Sequence, residues 1–168
     1  VDATVRALVD RLGLAPHPEG GYFREFHRSG RLVVPSNASP GTGSARSAGT
    51  AIYYLLAAGD FSAFHRIRGS DEVWHFYAGD PLELHLLDAG RGHALRVLHG
   101  SLDAAEPAAV VPAGTWQAAR PRAGGRYSLL GCTVCPGFEY TDHEMAERGA
   151  LCRRFPRYRA LVEELTRG

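Results

Sequence analysis

Between Tyr22 and Cys135 the chain reads as one strand-length segment after another, each closed by a glycine, proline or aspartate turn. The clearest is PLELHLLD over 81–88. There Leu82, Leu84 and Leu86 alternate with Glu83 and His85, so the leucines are expected on a core face and His85 on an exposed or contact face. TAIYYLLA (50–57), FSAFHRI (61–67), EVWHFYA (72–78), HALRVLHG (93–100) and Tyr127 to Cys135 are further strands. The stretch 108–121 adds two more around a turn at Pro112 to Gly114. Some eight to ten short strands with no helices among them predict an all-β antiparallel sandwich or barrel, and a jelly roll fits the count. No period recurs, which argues against a propeller or solenoid.

Helices are expected only at the ends. Val5, Leu8, Val9 and Leu12 fall at helical spacing over 2–13, and Gly13 supplies a stop. Near the C-terminus, 156–166 places Tyr158, Leu161, Val162 and Leu165 on one stripe behind Pro156. PHPEGG, from Pro16 to Gly21, reads as a turn into a first strand, YFREFHRS. Alternation there puts Tyr22, Arg24 and Phe26 on one face and Phe23, Glu25 and His27 on the other. Residues 35–49 form a polar, low-complexity loop, read as a surface segment that can act as a lid.

At 168 residues the chain is long enough for one domain with a real core. A net charge of +1 gives no reason to expect nucleic acid or an acidic membrane surface as a partner. All 19 basic residues are arginine, so lysine-based Schiff-base chemistry is excluded. No run approaches the roughly 18 to 20 apolar residues of a membrane-spanning helix. Val1 to Leu14 is amphipathic and charged, unlike a secretion signal, and a chain opening on Val is expected to have been processed. Cys132 and Cys135 lie three apart on a strand and so face opposite sides, which predicts structural thiols and a reduced, cytoplasmic setting.

Chemistry concentrates in FHRIRGSDEVWHFYAG, Phe64 to Gly79. Two strands joined by the turn Gly69-Ser70-Asp71 would set His65 beside Glu72. A histidine and a carboxylate in one pocket can hold a metal or act as a general base with its partner. His75 lies three after Glu72 and points to the opposite face unless a bulge turns it in. Tyr22 and Arg24 share a face of the first strand, and Arg24 could clamp a carboxylate or phosphate if that face lines the pocket. No nucleophile elbow supports serine chemistry.

The spacing His65, Glu72, Gly79, followed by Pro112, Gly114 and Gln117, resembles the two motifs of the cupin superfamily. The resemblance implies four metal-ligand positions. Here they hold His65, Ile67, Glu72 and Gln117, so one is apolar and one is a neutral amide, a weak ligand beside imidazole and carboxylate. PHPEGGYFRE, SDEVWH, VPAGTW and PGFE together resemble a small cupin group of largely unknown function, over about Leu12 to Met145. That resemblance implies a double-stranded β-helix pairing as a homodimer, with similarity to metal-free sugar-nucleotide epimerases.

One cupin domain is therefore expected over 1–168: an N-terminal helix and turn (1–20), a jelly-roll barrel (21–140) and a C-terminal helical segment (141–168). The leading expectation is a cupin that binds a small molecule and carries out proton transfer of the epimerase, isomerase or dehydratase type on a sugar-like or carboxylated metabolite. His65 and Glu72 would be catalytic, and Gln117, Tyr22, Arg24 and His75 would contact substrate. The alternatives are a metal-dependent enzyme with a weakly held divalent ion at His65, Glu72 and Gln117, and a ligand-binding or sensing module without turnover.

Overall fold

In chain order, a computed structural model places a helix α1 (Ala3–Leu12) and then thirteen strands among the described residues. These are β1 (Ala15–Pro16), β2 (Tyr22–Arg28), β3 (Leu32–Val33), β4 (Arg46–Ser47), β5 (Thr50–Ala57), β6 (Ser62–Ile67), β7 (Asp71–Gly79), β8 (Leu82–Asp88), β9 (Gly92–Leu98), β10 (Ala108–Val111), β11 (Trp116–Pro121), β12 (Tyr127–Cys135) and β13 (His143–Met145). Helices α2 (Arg148–Arg154) and α3 (Arg159–Glu164) close the chain, joined by a 3₁₀ turn over Pro156–Tyr158. The structure describes residues 2–34, 45–101, 103 and 105–167. The lid reading of 35–49 falls mainly on 35–44, outside the described residues.

Two antiparallel sheets face each other. One has six strands in the order β1-β2-β5-β12-β7-β10, the other five in the order β13-β6-β11-β8-β9. The core between them holds Leu56, Trp74, Leu82, Leu84, Leu98 and Leu130, all 1 % exposed or less. This is the jelly roll that the strand pattern predicts.

Each sheet is also covered over part of its outer face, which explains the near-continuous apolar runs. Helix α1 sets Val5 against Leu55, with Tyr22, Tyr53 and Leu129 around them, so β5 is buried from both sides. Asp2 accepts a hydrogen bond from the Thr4 amide at 2.7 Å, and Gly13 ends the helix with φ 61°. On the other sheet, α2 and α3 lay Leu151, Phe155, Val162 and Leu165 over Phe64, Leu87 and Trp116. The sequence predicts the second of these helices but not α2.

That covering layer corrects the placement of His85. It is buried, not exposed, with its Nδ1 3.1 Å from Nε2 of His93, whose ring packs 5.4 Å from Tyr158. Burial, helped by His93, pushes its pKa down to about 4.

The strands β6 and β7 also depart from expectation. They do not pair with each other: β6 lies between β13 and β11, and β7 between β12 and β10. The turn at Gly69 and Ser70 carries the chain from one sheet to the other. His65 and Glu72 therefore reach the same cavity from different sheets and not from paired strands.

A bulge in β2 changes a third detail. Glu25 pairs with Ile52, but the register then slips so that His27 meets Ala51 and Arg28 meets Thr50. Arg28, three residues on from Glu25, thereby joins it on the inner face in place of His27.

Candidate active site

Between the sheets lies a cavity of about 290 Å³, at the small end of ligand sites, roughly 300–1,000 Å³. Phe23, Tyr54, Trp74, Phe138 and Tyr140 form much of its wall. His17, Glu19, His65, Glu72 and Cys132 supply its polar groups, and Glu25 and Arg28 line it from β2.

Glu19 is the residue that sequence reading missed. It sits in the PHPEGG turn, where the Gly20 amide bonds the His17 carbonyl at 3.0 Å. Gly20 and Gly21 have φ of 118° and 68°, and a Cβ on them would lie 2.2 Å from the Phe61 carbonyl and 2.5 Å from that of Leu55. Only glycine permits so close an approach at these angles. The turn thus tucks inward, the Ala63 amide bonds the Glu19 carbonyl at 3.0 Å, and the carboxylate is driven into the barrel.

Its oxygens are well supplied. Oε1 accepts from Nε2 of His143 at 2.7 Å, and Oε2 from the Ser62 hydroxyl at 2.9 Å. Nδ1 of His65 lies 3.4 Å from Oε2 and Nδ1 of His17 lies 3.7 Å away. Burial alone would raise the Glu19 pKa, but His65, the His143 hydrogen bond and His17 outweigh it and bring it down to about 2. His17 itself is pushed down by burial, against the pull of Glu19.

His65, 2 % exposed, has its Nδ1 2.8 Å from the Ala63 carbonyl. A carbonyl only accepts, so Nδ1 carries a proton, and whenever the ring holds one proton the lone pair is on Nε2. Glu72 stands on the other sheet. Its Oε2 accepts from Nε2 of Gln117 at 2.6 Å, and the Gln117 Oε1 accepts from Nε1 of Trp74 at 2.9 Å. Burial pushes the Glu72 carboxyl up, and the charge of Glu19 adds to this, while His65 and the Gln117 amide oppose it. Two carboxyls in one cavity are thus driven apart in acidity, the pattern that separates an acid from a base. The buried Cys132 thiol beside Glu72 is pushed well above its ordinary value and stays neutral.

The raised Glu72 pKa has a signed consequence. Folding favours the protonated carboxyl, so wild-type stability falls as pH rises from the ordinary 4.5 through the raised folded value. The variant Glu72→Gln keeps an acceptor for Gln117 and is expected to lack that fall. Urea titrations from pH 4 to pH 8 check it, and parallel curves for the two proteins would refute it.

The other predicted site residues lie elsewhere. Gln117 is buried behind Glu72, outside the cavity lining, with both ends of its amide engaged. Tyr22 and Arg24 are on the outer face of β2, where Tyr22 packs near α1 and Arg24 lies over the Tyr53 ring. Strand alternation gives the interior to Phe23 and Glu25 instead. His75 also points outward, 3.3 Å from the Thr133 hydroxyl, because no bulge separates it from Glu72. Cys132 faces inward and Cys135 is exposed, so the two thiols are on opposite sides.

The motif positions for a metal do not fit an ion here. Ile67 offers no ligand atom, and Gln117 is spent on Trp74 and Glu72. A different set does lie together: Glu19, His65 and His143 place one ligand-type atom each within 4.8 Å of one another. Two histidines and a carboxylate suit a divalent ion.

The family model for the cupin superfamily (DUF985) matches residues 6–146. Protein SO0799 from Shewanella oneidensis is 32 % identical, with 96 % of each chain covered and a TM-score of 0.84. A hypothetical protein from Leishmania major is 31 % identical, over 97 % of this chain and 98 % of that one, with a TM-score of 0.86. The fold alone is shared with a dTDP sugar isomerase from Desulfovibrio desulfuricans G20, 14 % identical over 81 % and 86 % of the two chains, TM-score 0.55. Among curated proteins none matches. With the barrel, its two motifs and a match over most of the chain, this protein belongs to the cupin superfamily, in the DUF985 family.

Proposed function

We propose that this protein binds a small polar metabolite in the barrel cavity and moves protons on it, as an epimerase, isomerase or dehydratase does. The observation that carries the reading is the tautomer of His65. Its Nδ1–H is committed to the Ala63 carbonyl beside the Glu19 carboxylate, and Nε2 is the basic nitrogen. Nε2 takes a proton from a carbon next to a carbonyl, and the electron pair moves onto the carbonyl oxygen. The imidazolium that forms is stabilised by Glu19, as a buried carboxylate stabilises the histidine of a triad. Glu72, the more weakly acidic carboxyl, borne on the other sheet, returns a proton to the oxygen or to the carbon. Transfer of deuterium from D₂O into the carbon-bound positions of dihydroxyacetone, followed by proton NMR, tests this. Tight binding without exchange would leave a ligand-binding or sensing module.

A second reading is favoured by one observation, the Glu19, His65 and His143 cluster. With a divalent ion there, the cavity would be a metalloenzyme site, and the ion would polarise the ligand carbonyl.

The protein is further proposed to act as a homodimer in the cytoplasm. Phe26, Tyr77 and Val110 are exposed on the outer face of the six-stranded sheet, at 44 %, 48 % and 57 %, and such a patch suits a second subunit. Light scattering is expected to give the mass of two chains, and a single-chain mass excludes the dimer. No helix among the described residues is long and apolar enough to cross a membrane.

A further inference from the structure

Arg28 is the one arginine among the described residues that line the cavity, and at its solvent-exposed mouth four of the five N–H groups of the guanidinium are engaged. Nε and Nη2 bond the two oxygens of Glu25 at 2.9 Å each, Nη1 bonds Oε1 of Glu139 at 3.1 Å, and Nη2 also reaches the Phe138 carbonyl at 3.1 Å. The fork that would grip a carboxylate or phosphate already grips two carboxylates of the protein. Deeper in, Glu19 is ionised and its neighbouring histidines are turned toward it. Two carboxylates, Glu25 and Glu139, therefore hold the one guanidinium, and a third, Glu19, lines the same cavity.

An anion entering here would give up its water without meeting a guanidinium free of carboxylates among the described residues, a cost the lining does not return. A neutral polyhydroxylated compound meets the opposite situation. Its hydroxyls can donate to carboxylate and imidazole acceptors, and its C–H faces can pack on Phe23, Trp74, Phe138 and Tyr140.

We propose that the cavity selects a small uncharged polyhydroxylated aldehyde or ketone and excludes carboxylates and phosphates, because its arginine is already neutralised by Glu25 and Glu139. This rests on the cavity being the ligand site of the proposed reaction, and it removes the carboxylated class from the expected metabolites.

Pairs that differ by one charged group test it: dihydroxyacetone against its phosphate, and glyceraldehyde against the similarly sized glycerate. Trp74 lies on the cavity wall and reports binding by fluorescence once Trp116 is replaced by Phe, a change that loses no hydrogen bond because the Trp116 Nε1 has none. The neutral member of each pair is expected to bind at least tenfold more tightly. The double variant Glu25→Gln with Glu139→Gln frees Arg28 and is expected to shrink or invert that ratio by tenfold or more. Equal or tighter binding of the charged members to the otherwise unaltered cavity overturns the proposal, and so does silence of Trp74 toward both neutral compounds. Binding is read without turnover, so a correct charge preference without deuterium exchange counts against the proton-transfer reading alone. Exchange on the phosphate or glycerate counts against the charge preference alone.

Discussion

Glu19→Ala is expected to lower the unfolding free energy by about 3–5 kcal/mol, the usual loss when one partner of a buried charged network is removed. The carboxylate is 4 % exposed and accepts from His143 and Ser62, and both would lose their buried acceptor. The loss is tied to pH. Glu19 has a folded pKa of about 2 against an ordinary 4.5, so its stabilisation is complete above pH 4.5 and disappears as pH falls through 2. A depression of that size corresponds to about 3 kcal/mol. Glu19→Gln keeps the shape and removes the titration, so its stability should be flatter than wild type between pH 4.5 and pH 2. Acid unfolding followed by circular dichroism reads both effects. Coincident acid limbs for wild type and Glu19→Gln would show that the histidines do not hold this carboxylate.

His65→Gln should reduce deuterium exchange on a bound carbonyl compound by about 10²–10⁴-fold, the range for loss of a positioned general base. Glutamine can still donate an amide hydrogen to the Ala63 carbonyl, but it has no basic nitrogen to present to the cavity. Binding of the neutral compounds should therefore change much less than exchange. Glu19→Gln should weaken exchange as well, since the imidazolium formed during transfer would lose its counter-charge. If His65→Gln lowers binding and exchange together by the same factor, His65 is a contact residue and not the base.

Much of the barrel is legible in the chain because alternation and turn chemistry are local. PLELHLLD gives β8 with its leucines inward, and the run TAIYYLLA gives β5. His65 and Glu72 are legible too, since the motif spacing identifies them before any contact is known. What fails is information carried by tertiary placement. A turn of a few residues through Gly69 looks the same whether its strands pair or cross between sheets, so the approach of His65 and Glu72 from different sheets is hidden. The bulge that turns Arg28 inward leaves no mark in YFREFHR. His85 reads as exposed because nothing local announces that α2 and α3 will cover the outer sheet. Glu19 and His143 come from a turn and from the start of the C-terminal segment, and they meet at His65 only once the barrel has closed. The one local trace of Glu19 is the Gly-Gly pair behind it, which allows the turn to lie against the Phe61 and Leu55 carbonyls.

The most direct measurement is deuterium incorporation into dihydroxyacetone by protein stripped of metal with a chelator, with His65→Gln and His143→Ala run in parallel. Exchange by the stripped wild type, lost in His65→Gln, is the predicted result. Exchange that vanishes on stripping, returns with zinc, manganese or iron, and fails to return in His143→Ala would contradict it and make Glu19, His65 and His143 a metal centre.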